Sequence, residues 1–89
     1  MDINIEQLKK RIIYRSSYRG TKEMDKLLGS FTKKYIDKLE KKDLVDLEKL
    51  LNFDDNNLYN YYINEKTDIN FENNKVNSLF KNFKFNNSI

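Results

Sequence analysis

The sequence predicts an all-α fold, a single compact bundle of about five short helices. Three observations carry this expectation. Apolar residues recur at three- and four-residue spacing along most of the chain, and no stretch alternates as a strand would. Eighty-nine residues suit one domain. Two glycines and no proline leave few strong breaks, so the connections should be short.

The first helix is expected over 5–16. Asn4 is a good N-cap, Gln7 stands at the third helical position, and Ile3 and Leu8 are placed for a flanking staple. Ile5, Leu8 and Ile12 then share a face. The string SSYRG breaks that pattern. Thr21 can cap a second helix over 21–37, with Met24, Leu28, Phe31 and Tyr35 as its stripe and Leu27 beside them. Gly29 lies inside this helix and should cost about 1 kcal/mol relative to alanine, so close approach by another helix is expected there.

Periodicity alone would allow a single helix from 21 to 51. A helix of that length cannot fold back to bury its stripe, so a break is expected near 37–40. Glu40 as cap, Asp43 three residues later and a Leu39/Leu44 staple give the third helix its start. Leu44, Leu47 and Leu51, with Leu50, form its inner face. Asp55 is the expected cap of a short fourth helix that turns Leu58, Tyr61 and Tyr62 inward. A fifth helix is expected over 70–83 from Val76, Leu79, Phe80 and Phe83. Twelve of the thirteen asparagines follow position 50 and read as compositional drift more than function. The domain is expected to cover 1–83, with 84–89 as a disordered tail.

Composition limits the chemistry. A chain of this size buries about 60–65% of the surface its unfolded form exposes, so a deep private cavity is hard to build. Cysteine and histidine are both absent. Disulfides, thiolate zinc sites, His-based metal sites and the usual neutral-pH general base are thereby excluded. No catalytic residue and no metal site is assigned. No glycine-rich phosphate loop is present. No apolar run approaches the ~18–20 residues of a membrane span, and the acidic N-terminus lacks a signal region, so a soluble intracellular protein is expected.

Charge is uneven. The net charge is +3, but residues 1–42 hold 12 Lys/Arg against 6 Asp/Glu, and residues 43–89 hold 5 against 8. The first half is the expected face for an anionic partner. Lys33, Lys34, Lys38, Lys41 and Lys42 read as a solvated helix face. Nucleic-acid binding through this half, with Tyr14, Tyr18 and Tyr35, is a competing reading, as is a helical module for some other protein partner. Interspersed acids and the lack of a helix-turn-helix pattern weigh against nucleic acid.

The string YRSSYRGTKEMD, residues 14–25, is the most specific feature. Gly20 stands at the entrance to helix 2, and Glu23 and Asp25 follow in its first turns, where acids are favoured. Arg19 and Glu23 are four apart and can approach each other across the turn. On the residues alone this is a capped corner with a surface ion pair worth under about 1 kcal/mol.

RGTKEMD, preceded by helical RIIYRSSY, resembles the RGxxExD signature of the FAD assembly factors of succinate dehydrogenase. Arg19, Gly20, Glu23 and Asp25 occupy the signature positions. LLGSF, with Gly29 and Phe31, is similar to the mitochondrial-type branch. LEKLLNFDDNNLYNYYIN is similar to the family's second block, and the likeness runs in register over about residues 5–64. Tyr18 departs from the pattern where many members carry a second basic residue. Asn56 stands where proline is common, and Tyr61 and Tyr62 stand where tryptophan is common.

The resemblance implies a five-helix assembly chaperone, not an enzyme. Its partner would be the flavoprotein subunit of succinate dehydrogenase or of the related fumarate reductase. FAD would be handled by that partner and not bound tightly by this chain, which would be a monomer when free. The compartment would be the bacterial cytoplasm, or the mitochondrial matrix if a transit peptide has been removed. The implied partner-binding residues are Arg19, Gly20 and Glu23, with Asp25, Arg15 and Tyr18 beside them. On this reading Gly20 is clearance for another protein, and a large side chain there blocks docking while the fold stays intact. Tyr61 and Tyr62 read as core or rim, and Asp54 and Asp55 as turn and cap.

Overall fold

Five α-helices follow one another in a computed structural model that describes residues 4–84. They are α1 (Ile5–Ser17), α2 (Lys22–Tyr35), α3 (Lys41–Leu51), α4 (Asp55–Tyr62) and α5 (Lys75–Lys81). No strand occurs among the described residues, and no helix is long and apolar enough to cross a membrane. The all-α expectation holds.

The N-caps explain where the helices begin. Asn4 Oδ1 accepts from Gln7 N at 3.2 Å, and Thr21 Oγ1 accepts from Met24 N at 3.2 Å. Asp43 reaches back to Glu40 N at 3.3 Å, and the Glu40 side chain faces the Asp43 amide, so both arms of the capping box are present. Each bond satisfies a helix-end donor that has no partner within its own helix. The break between α2 and α3 falls over 36–40, with Lys38 N donating to Tyr35 O at 2.8 Å. Helix α2 ends at Tyr35, two residues before its expected end.

Helix α1 packs on α2 and α3, and α5 packs on α3 and α4. The apolar stripes meet in one core. Leu8 and Ile12 of α1, Leu27, Leu28 and Phe31 of α2, Leu44, Leu47, Leu50 and Leu51 of α3, Leu58 of α4, and Val76 and Phe80 of α5 are all buried. Phe31 is the hub. Its ring lies 5.1–5.4 Å from those of Tyr35, Phe80 and Phe83. Tyr61 and Tyr62 are half-buried at the core's edge, Tyr61 stacked on Phe71 at 4.2 Å. The five lysines read as a solvated face are all exposed.

Three expectations are corrected. The fifth helix runs over Lys75–Lys81, not 70–83. Asn74 caps it through Asn77 N at 2.8 Å, and Phe71 and Phe83 pack from outside the helix. The cap of α4 is Asp54, not Asp55; its carboxylate accepts from Asn57 N at 3.2 Å. The asparagines are not compositional drift alone. Asn57 Nδ2 bonds Asp54 Oδ1 at 2.7 Å while its Oδ1 accepts from Asp68 N at 3.1 Å. Asn77 Nδ2 bonds Glu72 O at 2.9 Å. Asn64 takes a left-handed φ of 64° at the end of α4. Ile3 of the staple, and the expected tail apart from Lys84, lie outside the described residues.

Candidate partner-binding corner

Helix α1 ends when Tyr18 leaves helical geometry at φ −123°, ψ 69°. That departure sends Arg19 away from Glu23, because four-residue proximity holds only on a continuous helix. The expected Arg19–Glu23 pair does not form. Arg19 Nε instead donates to Asp55 Oδ1 at 2.7 Å, with the arginine side chain only 10% exposed.

The rest of the guanidinium is also used. Nη1 donates to Leu51 O at 2.8 Å and to Arg15 O at 3.3 Å, and Nη2 donates to Phe53 O at 2.8 Å. Leu51 and Phe53 lie at the C-terminal end of α3, where carbonyls lack helical partners. Arg19 therefore caps α3 and bonds α4 at once. A planar fork of five donors suits this; a lysine ammonium would not reach all these acceptors.

Gly20 N donates to the other Asp55 oxygen, Oδ2, at 2.7 Å. Asp25 reaches back from α2 to accept from Arg19 N. Arg19, the Gly20 amide and Asp25 are thus held within the chain. Asp55 was assigned to capping by sequence reasoning, and its role here was missed. The available signal was the Asp-Asp doublet, since one cap needs only one of the two acids.

The other residues of the motif face outward. Glu23 is exposed and has no hydrogen-bond or ion-pair partner among the described residues. It lines an open groove of about 450 Å³ between the start of α2 and α4, with Thr21, Met24, Asp55, Asn56 and Tyr59. Tyr59 is 47% exposed. Arg15 is exposed and donates to Asn52 Oδ1. Tyr18 is 71% exposed and its ring lies 4.6 Å from that of Tyr14. With Ile13, these two tyrosines give α1 an apolar outer face. Tyr35, grouped with them by sequence, turns inward to Phe31. No group of three or more metal-ligating side chains occurs among the described residues.

A protein-family model described as the flavinator of succinate dehydrogenase matches residues 10–84. The chain belongs to this flavinator family. The match spans the corner, the groove and all of α2 to α5. The chain is also 41% identical over 59 residues to a Dictyostelium discoideum protein named succinate dehydrogenase assembly factor 2, mitochondrial. That alignment covers 66% of this chain and 42% of the relative, so it spans under half of the relative's length. No solved structure gives a significant match. Within the flavinator family signature as it stands here, the geometry divides the residues. Arg19, Gly20 and Asp25 build the corner, and Glu23 lies on its open side.

Proposed function

We propose that this protein is an assembly factor that docks on the flavoprotein subunit of succinate dehydrogenase and promotes covalent attachment of FAD to it. The related fumarate reductase subunit is the alternative client for the same chemistry. The observation that carries this reading is family membership across residues 10–84, together with an exposed, unpartnered Glu23 on a rigid corner.

The histidine that receives the flavin belongs to the client, in keeping with a chain that has no histidine of its own. FAD likewise belongs to the client, and this chain holds none tightly. Its contribution is geometric. Holding two reacting groups in register can lower a barrier by several kcal/mol with no acid or base from the helper. Glu23 meets a client cation, since a charge-assisted bond is about twice as strong as a neutral one. Tyr59 and Met24 supply apolar contact beside it, and Tyr18 and Arg15 extend the surface along α1. The free chain is a monomer. It works in the compartment of its client, the mitochondrial matrix or the bacterial cytoplasm.

The test is covalent-flavin fluorescence of the flavoprotein subunit in denaturing gels, with and without this chain. Wild type should raise labelling. Glu23→Ala should reduce it at least tenfold with a thermal midpoint within about 2 °C of wild type, because Glu23 is exposed and makes no hydrogen bond or ion pair among the described residues. Equal labelling with and without the chain would sink the reading. Steep salt-dependent binding to generic DNA, with no capture of the flavoprotein, would favour the nucleic-acid alternative.

A further inference from the structure

We propose that Asp55 is a positioning residue for the Arg19–Gly20 corner, and that Gly20 is required chiefly because Asp55 occupies the space beside it. Both carboxylate oxygens of Asp55 are committed across the chain, Oδ1 to Arg19 Nε and Oδ2 to Gly20 N, each at 2.7 Å. Neither serves as the cap of Asp55's own helix, because Asp54 already fills that place. A Cβ built on residue 20 would stand 2.8 Å from Asp55 Oδ2. That oxygen is not free to swing aside. Its carboxylate is tied to Arg19, whose remaining donors hold the Leu51 and Phe53 carbonyls. No glycine in the described residues has a positive φ, so conformational freedom does not explain the residue. What position 20 supplies is the absence of a side chain.

The consequence reaches the groove. Its two walls are the first turns of α2, bearing Glu23, and α4, bearing Tyr59. Asp55 joins the α1–α2 corner to the first turn of α4, so it fixes the separation of those walls. Removing it loosens the groove without touching Glu23 or Tyr59.

The experiment is a double-mutant cycle of wild type, Gly20→Ala, Asp55→Ala and the double variant, followed by thermal unfolding. Gly20→Ala should lower the midpoint by about 5 °C in the wild-type background and by less than about 1 °C once Asp55 is alanine. Equal shifts in both backgrounds, or no shift in wild type, would overturn the proposal. Should Asp55→Ala fail to fold, Asp55→Ser also withdraws the carboxylate and completes the cycle.

A second arm rests on the assembly-factor reading. It measures capture of the succinate dehydrogenase flavoprotein subunit at a temperature where every variant is folded. Asp55→Ala should weaken capture at least tenfold, and capture equal to wild type overturns the positioning role. Failure of the wild-type chain to capture that subunit counts against the assembly-factor reading alone, because the unfolding cycle decides the Gly20–Asp55 coupling without a client.

Discussion

Gly20 and Gly29 stand in opposite surroundings. Beside Gly20 a Cβ would meet Asp55 Oδ2 at 2.8 Å; beside Gly29 the nearest atom is Ser16 O at 3.9 Å, an ordinary contact. Helix α1 does pass near Gly29, as the sequence suggests, but with room for a methyl group. Gly29→Ala should therefore stabilise the protein by about 0.5–1 kcal/mol, measured by denaturant unfolding with an unchanged slope. Thr32, one turn further along α2, is 2% exposed and its hydroxyl has no partner. Thr32→Val keeps the shape, removes a buried unsatisfied group, and should add about 1 kcal/mol. At this scale the sequence reveals residue types but not long-range partners. Arg19 and Asp55 are 36 positions apart, and no periodicity connects them. The four-residue spacing to Glu23 was visible and misleading, because residues 18–21 are not helical and Arg19 lies outside the helix that carries Glu23.

Asparagine takes over turn chemistry at the level of elements. A chain with two glycines and no proline must end and restart helices by other means. The end of α4 shows how. Asn64 N donates to Tyr61 O at 3.2 Å and Glu65 N to Asn60 O at 2.7 Å, the bond pair of a Schellman motif with Asn64 in the left-handed position. Asparagine tolerates that conformation better than other side-chain-bearing residues. Asn64→Ala should cost about 1 kcal/mol, whereas Asn64→Gly should be neutral or slightly stabilising; thermal unfolding distinguishes them. Helices α1 to α4 were legible because each pairs an apolar stripe with a nearby cap. Helix α5 was legible in its stripe but not in its length. Asn70, Asn73 and Asn74 register as weak helix formers within a helix, when Asn74 is in fact its boundary.

Across the whole molecule, ion pairs bind distant segments. Lys9 meets Asp37 at 3.1 Å, Arg11 meets Glu48 at 2.8 Å, and Lys75 lies 3.6 Å from Asp43. The charge asymmetry between halves was visible in the sequence; the two ion pairs that join one half to the other, Arg11–Glu48 and Arg19–Asp55, were not. Two carboxyls are held below their usual range. Glu48 is lowered first by its hydrogen bond from Arg11, and Asp54 first by the bond from the Asn57 side chain. The folded chain therefore binds protons less readily than the unfolded chain. Stability from these groups is complete above the unfolded carboxylate range and is lost as pH falls below about 4. Burial raises the Tyr61 phenol, so its contribution is complete below about pH 10 and lost as pH rises further. With no histidine to titrate between these limits, the thermal midpoint should be level from about pH 5 to 9 and fall on both sides. Asp54→Asn should make the acid limb shallower.

The hydrogen bond from Gly20 N to Asp55 also gives the chain a built-in reporter. Selective ¹⁵N labelling of glycine yields two backbone resonances, because there are two glycines. One belongs to Gly29 inside α2. The other belongs to an amide on an exposed residue that is nonetheless bonded to a carboxylate at 2.7 Å. Its deuterium exchange should be slow for a surface amide and should become fast in Asp55→Ala. Following that single peak during titration with the proposed client, the succinate dehydrogenase flavoprotein subunit, would show whether the corner stays closed in such a complex.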